Sequence, residues 1–428
     1  MVTSYYFISD LHIGGDGPLD QCEFKKELIL FLQQLENEAG DVELIIAGDA
    51  FGLWEYTQLK GIDKMRTLVK SHPDLFEQFK QTGKKIKITL IPGNHDYDLA
   101  CYPEYIPFLK EYGIDLEQKE HIRRNLGEKW LWIEHGNQHD SFNAFEHFGD
   151  VAEAPIGYFV TAQFVSGAGE VSKRGKQDWV KDIQAVYPTE HIPYWVFSNY
   201  YYREMSPLLR YLLLPFLLLF SVSVIAAFLG LAEEAGILPP YLSIHHFLEK
   251  IGGLGMLLNI IIAINSSIIT FLLALSIPLY FIYRDVMATL KRYQLVGNEN
   301  LAVEKEEDYI NAAKKVFEEN DNVVAFLYGH THNASLRHED GKVIINTGTW
   351  LKKLTRHSSH FRLLPDVYVP SYSLSVFKIY ENKGKIVIDY HEIPKEGKDE
   401  LTILQKVMTF GKKSRKAAKI PEKTELFS

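Results

Sequence analysis

Short apolar runs alternate with amphipathic stretches along most of this chain. Five of the runs are rich in β-branched and aromatic residues, as is typical of strands buried on both faces. These predicted strands are Ser4 to Ile8, Val42 to Ala47, Ile86 to Ile91, Trp130 to Glu134 and Val323 to Tyr328. Between them, apolar positions recur every three or four residues, which predicts helices such as Glu23 to Leu35 and Glu304 to Glu318. This alternation indicates an α/β fold built in layers.

Each predicted strand runs directly into polar residues. The five segments that follow the strands are Asp10-Leu11-His12, Gly48-Asp49, Gly93-Asn94-His95-Asp96, His135-Gly136 and Gly329-His330-Thr331-His332. In open α/β sheets, functional sites form at the carboxyl ends of the strands. We therefore expect these Asp, Asn and His side chains to share one site.

The intervals between these segments locate an insertion. Intervals of 39, 45 and 41 residues separate the first four segments, whereas His330 follows His135 by 195 residues. The excess predicts a single domain that is interrupted after the fourth strand. Its predicted parts are residues 1–150, an insertion over 151–300, residues 301–395, and a basic tail over 396–428, in which Lys412 to Lys423 is expected to be mobile.

Two long runs without charged residues lie inside the insertion, from Tyr211 to Ala232 (22 residues) and from Ile251 to Tyr283 (33 residues). A helix needs about 20 apolar residues to cross the hydrocarbon core of a bilayer. The runs predict a transmembrane helical hairpin with spans over about 211–232 and 257–283. A buried helical hairpin and a hydrophobic lid that rests on the bilayer are the alternatives.

Charges beside the runs predict an orientation. Arg203 and Arg210 precede the first run and Arg284 follows the second, while the connection contains three glutamates and one lysine. Because basic flanks favour the cytoplasmic side, we expect a multi-pass protein of the inner or plasma membrane whose main domain faces the cytoplasm. The N-terminal strand also lacks the features of a signal peptide. The aromatic residues expected at the membrane interface are Tyr194, Trp195, Tyr200, Tyr201 and Tyr202.

Composition narrows the choice of partners. The 428 residues include 46 basic and 55 acidic side chains, a formal net charge of −9. This mild acidity argues against a nucleic-acid partner, which requires a basic face. Charged and aromatic fractions of 24% and 13% are typical of a folded chain and exclude a wholly disordered protein.

The polar segments have the chemistry of a metal site. Carboxylate, imidazole and carboxamide ligands together suit a divalent ion such as Mn, Fe or Zn. Two ions, about 3.5–4 Å apart, would stabilise both oxygens of a phosphoryl displacement, with a bridging hydroxide as the nucleophile. His95 is then a general acid or charge stabiliser, and Asp96 holds its tautomer. Seven side chains can hold two ions if Asp49 bridges them, namely Asp10, His12, Asp49, Asn94, His135, His330 and His332.

In this order, the five segments resemble the motifs D-x-H, G-D, G-N-H-D/E, H and G-H-x-H of the calcineurin-like metallophosphoesterase superfamily. The resemblance covers residues 1–150 and about 300–395. It implies a four-layer αββα sandwich, here with an inserted transmembrane hairpin. It also implies one ion on Asp10, His12, Asp49 and His332, and another on Asp49, Asn94, His135 and His330. Asn346 to Trp350 is similar to the segment that often follows the last motif.

Ile8 to His12, Gly48 to Trp54 and the Gly-His-Thr-His segment are also similar to UDP-2,3-diacylglucosamine hydrolases of lipid A synthesis. Those enzymes carry their acyl-chain lid between the fourth and fifth motifs, where this insertion lies. The sequence departs from them at two points. His95 stands where many of them have Arg, and Asn333-Ala334 follow the last histidine where they have Arg-Pro.

Other residues near the motifs have two interpretations each. Phe51, Trp54 and Tyr56 either line a substrate pocket or belong to the core. Asp140 either orients a metal ligand or lies in a solvated loop. The pair His245-His246 has no acidic neighbour and is expected to be an ordinary loop.

These features predict a membrane-anchored phosphoesterase with two divalent ions. Its expected substrate is a phosphate ester or pyrophosphate on a lipid or a lipid-linked molecule. In one alternative, the protein catalyses the same two-metal hydrolysis, but the hairpin is only an anchor and the substrate is a soluble nucleotide or phosphoprotein. Another is a membrane scaffold without enzymatic activity.

Overall fold

The computed structural model of the chain describes residues 3–15, 20, 22–165, 182–186, 191–237, 248–292, 306–359, 364–395, 400–410 and 420–427. The chain divides into two compact units. The first comprises Met1–Glu204, Val303–Ser358 and Asp366–Ser428, and the second comprises Met205–Ala302 and Ser359–Pro365. The predicted insertion is thus divided, because residues 151–204 belong to the first unit.

The strands of the described residues all lie in the first unit, and all five predicted strands occur within one residue of their expected ends. The strands in the described residues are β1 (Thr3–Ile8), β2 (Asp41–Ala47), β3 (Lys87–Ile91), β4 (Asp115–Leu116), β5 (His121–Leu126), β6 (Lys129–Glu134), β7 (Val323–Tyr328), β8 (Ser335–Glu339), β9 (Lys342–Asn346), β10 (Lys353–His357), β11 (Val367–Ser371), β12 (Leu374–Asn382), β13 (Lys385–Ile393) and β14 (Lys423–Phe427). The α-helices are α1 (Lys25–Leu35), α2 (Ile62–Ser71), α3 (Pro73–Thr82), α4 (Asp98–Cys101), α5 (Tyr105–Lys110), α6 (Ile156–Phe159), α7 (Ile192–Asn199), α8 (Pro207–Glu234), α9 (Gly253–Arg292), α10 (Glu306–Glu319) and α11 (Ile403–Thr409).

Two mixed sheets organise the first unit. In the described residues, one sheet has the order β14-β13-β12-β1-β2-β3-β4, and β1 to β4 run parallel. The other has the order β5-β6-β7-β9-β8, with β6, β7 and β9 parallel. A separate hairpin pairs β10 with β11.

The sheets pack face to face and carry helices on their outer faces. Phe7 and Ile45 of the first sheet meet Ile133, Leu327 and Ile345 of the second in a fully buried core. Helices α1, α2 and α3 cover the outer face of the first sheet, and α10 covers that of the second. The layers therefore follow the αββα order, and the predicted mixed α/β architecture is confirmed.

The registers of the parallel strands position the polar segments. Ile8 lies opposite Ile46, and Ala47 lies opposite Ile91, so β1, β2 and β3 end at one edge. β7 lies between β6 and β9 in the second sheet. Residues 195 positions apart in sequence, His135 and His330, thus follow adjacent parallel strands.

The second unit contains the two apolar helices α8 and α9, which contact each other. Asn265 Nδ2 of α9 donates a 2.9 Å hydrogen bond to Ser223 Oγ of α8, and both side chains are buried. Among the described residues, α9 is long and apolar enough to cross a membrane, over the 37 residues Gly253–Thr289, by length and composition. The apolar stretch of α8, Leu218–Glu233, is shorter. A hairpin of two spans therefore stays a prediction.

The expectation for the interfacial aromatic residues is corrected. Trp195, Tyr201 and Tyr202 are buried, whereas Tyr194 and Tyr200 are exposed. Trp195 belongs to a small core beside β10 and β11, which explains its burial. In the predicted tail the structure describes α11 and β14, while residues 412–419 of the segment expected to be mobile lie outside the described residues. β14 pairs antiparallel with β13, so its backbone hydrogen bonds fix it to the first sheet.

The amphipathic pattern of α1 allows a direct test of its packing against the first sheet. Leu28 faces the sheet and is fully buried, while Leu30 of the same helix is exposed. We expect Leu28→Ala to lower the free energy of unfolding by about 2–5 kcal/mol, because the substitution leaves a cavity. Leu30→Ala, the matched control, should change it by less than about 0.5 kcal/mol. Urea unfolding of the full chain in detergent, followed by tryptophan fluorescence, measures both; equal effects would contradict the packing.

Candidate metal centre

Asp10, His12 and His332 form a first group of possible ligands. His332 Nε2 lies 3.3 Å from Asp10 Oδ1 and 3.1 Å from His12 Nε2. The backbone N–H of His330 donates to both carboxylate oxygens of Asp10 at 3.1 Å. Thr349 Oγ1 donates to the Asp10 carbonyl at 2.6 Å. These bonds hold the loops after β1, β7 and β9 together.

Asp49, His135 and His330 form a second group. His135 Nε2 lies 3.2 Å from Asp49 Oδ2 and 3.1 Å from Asn94 Oδ1. Asp49 Oδ2 also lies 3.5 Å from His12 Nε2 of the first group. All seven predicted ligands are thus brought together, and Asp49 contacts both groups.

The backbone at the site is unusual for residues that carry a Cβ. Five predicted ligands adopt positive φ angles between 44° and 65°, a region that residues other than glycine rarely occupy. Such conformations cost about 1–3 kcal/mol each and cluster at functional sites. The five residues are Asp10, His12, Asp49, His330 and His332.

Two motif glycines leave room for the ligands. A Cβ on Gly93 would lie 2.2 Å from Asp49 Oδ1, and a Cβ on Gly48 would lie 2.3 Å from His135 Nδ1. Gly48 also has a positive φ of 87°. The glycines of the G-D and G-N-H-D segments are therefore required by close approach, since any side chain would displace a ligand.

Polar neighbours orient the imidazoles. His135 Nδ1 donates to the Ala47 carbonyl at 2.9 Å, which leaves Nε2 directed at Asp49. His330 Nε2 lies 3.1 Å from Asp140 Oδ2. Asn143 Nδ2 donates to the same Asp140 oxygen at 2.6 Å. Asp140 thus contacts a predicted ligand, in the way that carboxylates orient metal-binding histidines.

His95 lies beside both groups, but its carboxylate partner is not Asp96. His95 Nδ1 donates to Glu55 Oε1 at 2.8 Å. Asp96 instead accepts hydrogen bonds from the backbone N–H groups of Gly93 at 2.6 Å and Phe51 at 3.2 Å. These bonds join the loop after β3 to the loop after β2. The predicted role of Asp96 as the residue that fixes the His95 tautomer is wrong. Sequence reasoning missed Glu55, although the Gly-Asp segment lies only six residues before it.

A sequence model of calcineurin-like phosphoesterases matches residues 3–225, more than half of the chain. The chain belongs to the calcineurin-like phosphoesterase family. It is therefore a metal-dependent phosphoester hydrolase. No curated protein matches the sequence significantly.

Solved structures give only distant likenesses to this phosphoesterase. A predicted phosphoesterase from Streptococcus pneumoniae is 9% identical, with 94% of this chain and 95% of that one covered and a TM-score of 0.29. Vps29 from Entamoeba histolytica is 9% identical, with coverages of 91% and 92% and a TM-score of 0.28. Phosphopantetheinyl hydrolase from Mycobacterium tuberculosis is 14% identical, with coverages of 81% and 90% and a TM-score of 0.25. At these TM-scores the likenesses add nothing to the family assignment.

The donor set of the phosphoesterase fits divalent cations. Asp10 and Asp49 are fully buried carboxylates, and buried charges require partners of opposite charge. Burial by itself would lower the pKa of His135, but the carboxylates of Asp49 and Asp10 outweigh it and raise the pKa to about 10. In the same way, Glu55 and Asp49 raise the pKa of His95 to about 9. The site therefore attracts positive charge, and metal binding would release the protons.

The remaining predicted residues divide between the core and the site. Phe51 stacks on Phe76 in the core, with ring centroids 5.9 Å apart. Trp54 lies beside His95, with ring centroids 4.7 Å apart, and contacts Tyr158 at 5.7 Å. Tyr56 is also in the core. The pair at 245–246 lies outside the described residues.

In the segment after β9, Asn346 Nδ2 donates to Thr331 Oγ1 at 2.7 Å. This bond ties the segment to the loop that carries the last two histidines. The segment predicted from the family resemblance therefore supports the loop that follows β7.

The contact between Glu55 and His95 predicts a catalytic effect. Glu55→Gln removes the charge that orients His95, so we expect turnover to fall about 10–100-fold. Glu43→Gln is the control, because it breaks another buried ion pair, with Arg124, away from His95. Steady-state hydrolysis of p-nitrophenyl phosphate, with circular dichroism melting of each variant, separates the two effects. Equal losses in both variants would indicate destabilisation and contradict the role of Glu55.

Proposed function

We propose that this phosphoesterase holds two divalent ions in its two ligand groups. Asp10, His12, Asp49 and His332 would bind one ion, and Asp49, Asn94, His135 and His330 the other. The observation that carries this proposal is the position of Asp49. Its Oδ2 lies 3.5 Å from His12 Nε2 and 3.2 Å from His135 Nε2, so one oxygen serves both groups.

The oxygen and nitrogen donors suit Mn, Fe or Zn. Bound ions would supply Lewis acidity, which activates water and stabilises negative charge on a phosphoryl group. Asp49 is held for its role by the His95 backbone N–H, which donates to Oδ1 at 2.8 Å. The other carboxylate oxygen thereby remains directed at the two groups.

His95 is the residue that donates a proton to the leaving group. Its Nδ1 is bonded to Glu55, which leaves Nε2 as the atom that can donate to a leaving oxygen. Trp54 packs against its ring, with centroids 4.7 Å apart, and helps to hold its position. Glu55 acts through His95 by fixing which nitrogen is free.

Substitution of Asp49 tests the two-ion arrangement. We expect Asp49→Ala to abolish turnover and to reduce bound metal, since one side chain is shared by both ions. Asp308→Ala on the exposed face of α10 is the control and should change neither. Turnover of p-nitrophenyl phosphate and metal analysis of the purified protein measure both effects. Wild-type metal content in Asp49→Ala would contradict the proposal.

Attachment to a membrane is supported by α9, which is long and apolar enough to span a bilayer, and by its contact with α8. The basic residues Arg203 before α8, Arg210 in the first turn of α8 and Arg284 in α9 favour the cytoplasmic side for both ends. The first unit then acts at the cytoplasmic surface. This position favours substrates that are themselves held at the membrane.

Apolar residues near His95 support a substrate with an apolar part. Tyr158 contacts Trp54, and Trp54 contacts His95. Ile156 and Phe159, on the same short helix as Tyr158, are exposed. An exposed apolar helix beside a polar site is suited to a lipid chain whose phosphate lies at the ions. We therefore favour a lipid or lipid-linked phosphate or pyrophosphate over a soluble nucleotide or phosphoprotein.

A substrate comparison tests this preference. With the full chain in detergent, we expect faster hydrolysis of lipid pyrophosphates than of soluble nucleotides. Phe159→Asp should raise KM for the lipid by about tenfold or more, since burial of a Phe side chain is worth about 1.5–3 kcal/mol. It should leave hydrolysis of p-nitrophenyl phosphate unchanged.

Leu30→Asp, an exposed position on α1, is the control for added charge. A preference of the wild-type protein for soluble nucleotides would overturn the lipid substrate. It would leave the two-ion site intact.

A further inference from the structure

Helix α11 has the reverse of the usual amphipathic pattern. Its buried residues are the polar Gln405 and Thr409. Its outward face carries Ile403, Val407 and, directly after the helix, Phe410, which are 81%, 55% and 71% exposed. A helix that borders water normally buries its apolar face. The outward face of α11 is therefore suited to an apolar neighbour.

Polar bonds within α11 and at its N-cap stabilise the helix. The Thr402 backbone N–H donates to Gln405 Oε1 at 2.9 Å, and the Gln405 N–H donates to Thr402 Oγ1 at 3.3 Å. Thr409 Oγ1 donates to the Gln405 carbonyl at 2.9 Å. These bonds join residues of α11 and its N-cap to one another, and the capping box stabilises the start of the helix. With Gln405 and Thr409 buried, this stable helix directs its apolar residues outward.

A second exposed apolar row lies on α7, where Tyr194 and Phe197 face outward. Both α7 and α11 contact β11, so the two helices share one support. Arg203 Nη2 donates to the Glu400 carbonyl at 3.1 Å, which ties the residues before α11 to the chain just ahead of α8. α7 therefore precedes α8 closely in sequence, and the Arg203 bond ties the residues before α11 to the same part of the chain.

Basic residues beside the exposed apolar rows of α7 and α11 indicate which partner covers them. Residues 411–419, which follow Phe410 directly, include five basic and no acidic side chains. Lys406 is exposed on the same face of α11 as Ile403 and Val407. Basic residues next to apolar ones are typical of segments that bind anionic lipid surfaces.

We propose that the outward faces of α11 and α7 form a lipid-binding surface, which buries Ile403, Val407 and Phe410 in the interface of an anionic bilayer. The inference rests on the membrane attachment proposed above and adds a second point of contact. This contact would hold the first unit against the bilayer.

Site-specific quenching in nanodiscs tests the surface with the full chain. Cys22 and Cys101 are free and are replaced by serine, and a single cysteine at Val407→Cys carries a bimane label. Glu128→Cys, exposed in the turn between β5 and β6, is the matched control. Leu273→Cys in α9 reports the proposed anchor. Each label is compared in discs of phosphatidylcholine alone and with added phosphatidylglycerol, with and without brominated chains.

We expect brominated lipid to reduce Val407 label fluorescence in anionic discs, with less quenching in neutral discs or at 1 M salt, and no quenching at Glu128. If the label at position 273 is quenched and the label at position 407 is not, the lipid-binding surface is overturned and the membrane anchor stands. Absence at Leu273 would overturn the anchor instead. Equal quenching of the labels at positions 407 and 128 would overturn the proposed lipid-binding surface. It would also be overturned if the label at position 407 were protected from solvent only in discs that contain two chains, since a second copy would then cover this face.

Discussion

The buried carboxylate of Asp49 is the constraint on which the rest of the site depends. It must approach imidazoles from both ligand groups, and a carboxylate in this position is costly unless positive charge accompanies it. Its approach requires Gly93 to lack a side chain and requires a positive φ at Asp49 itself. The backbone of His95 then holds one oxygen while the other faces the two groups. Local strain and buried charge are thus offset by the ions that the family requires.

The sheets supply the rigidity that this arrangement needs. The strands β1, β2 and β3 are parallel, and their registers bring their carboxyl ends to one edge of the first sheet. In the second sheet, β6 and β7 are also parallel and end at one edge. Apolar packing between the sheets fixes the distance between these edges. An insertion of many residues between His135 and His330 is tolerated, since both follow strands that pair directly.

Sequence reasoning predicted the strands and the seven candidate ligands because each lies at a fixed place in a regular pattern. It failed where contacts depend on side-chain direction. Asp96 adjoins His95 in sequence but turns to backbone N–H groups, and Glu55 reaches His95 from another loop. Apolar character alone did not separate buried Trp195 from exposed Tyr194. The positive φ angles at the ligands were not predicted, although Asp and His are among the non-glycine residues most often found in this region.

The central claim is that one carboxylate joins two metal positions at the strand ends. Crystals of the full chain grown with manganese, and measured at the manganese absorption edge, test it directly. We expect two anomalous peaks in each chain, both within coordination distance of Asp49 and about 3.5–4 Å apart. A single peak, or a second peak that does not contact Asp49, would contradict it.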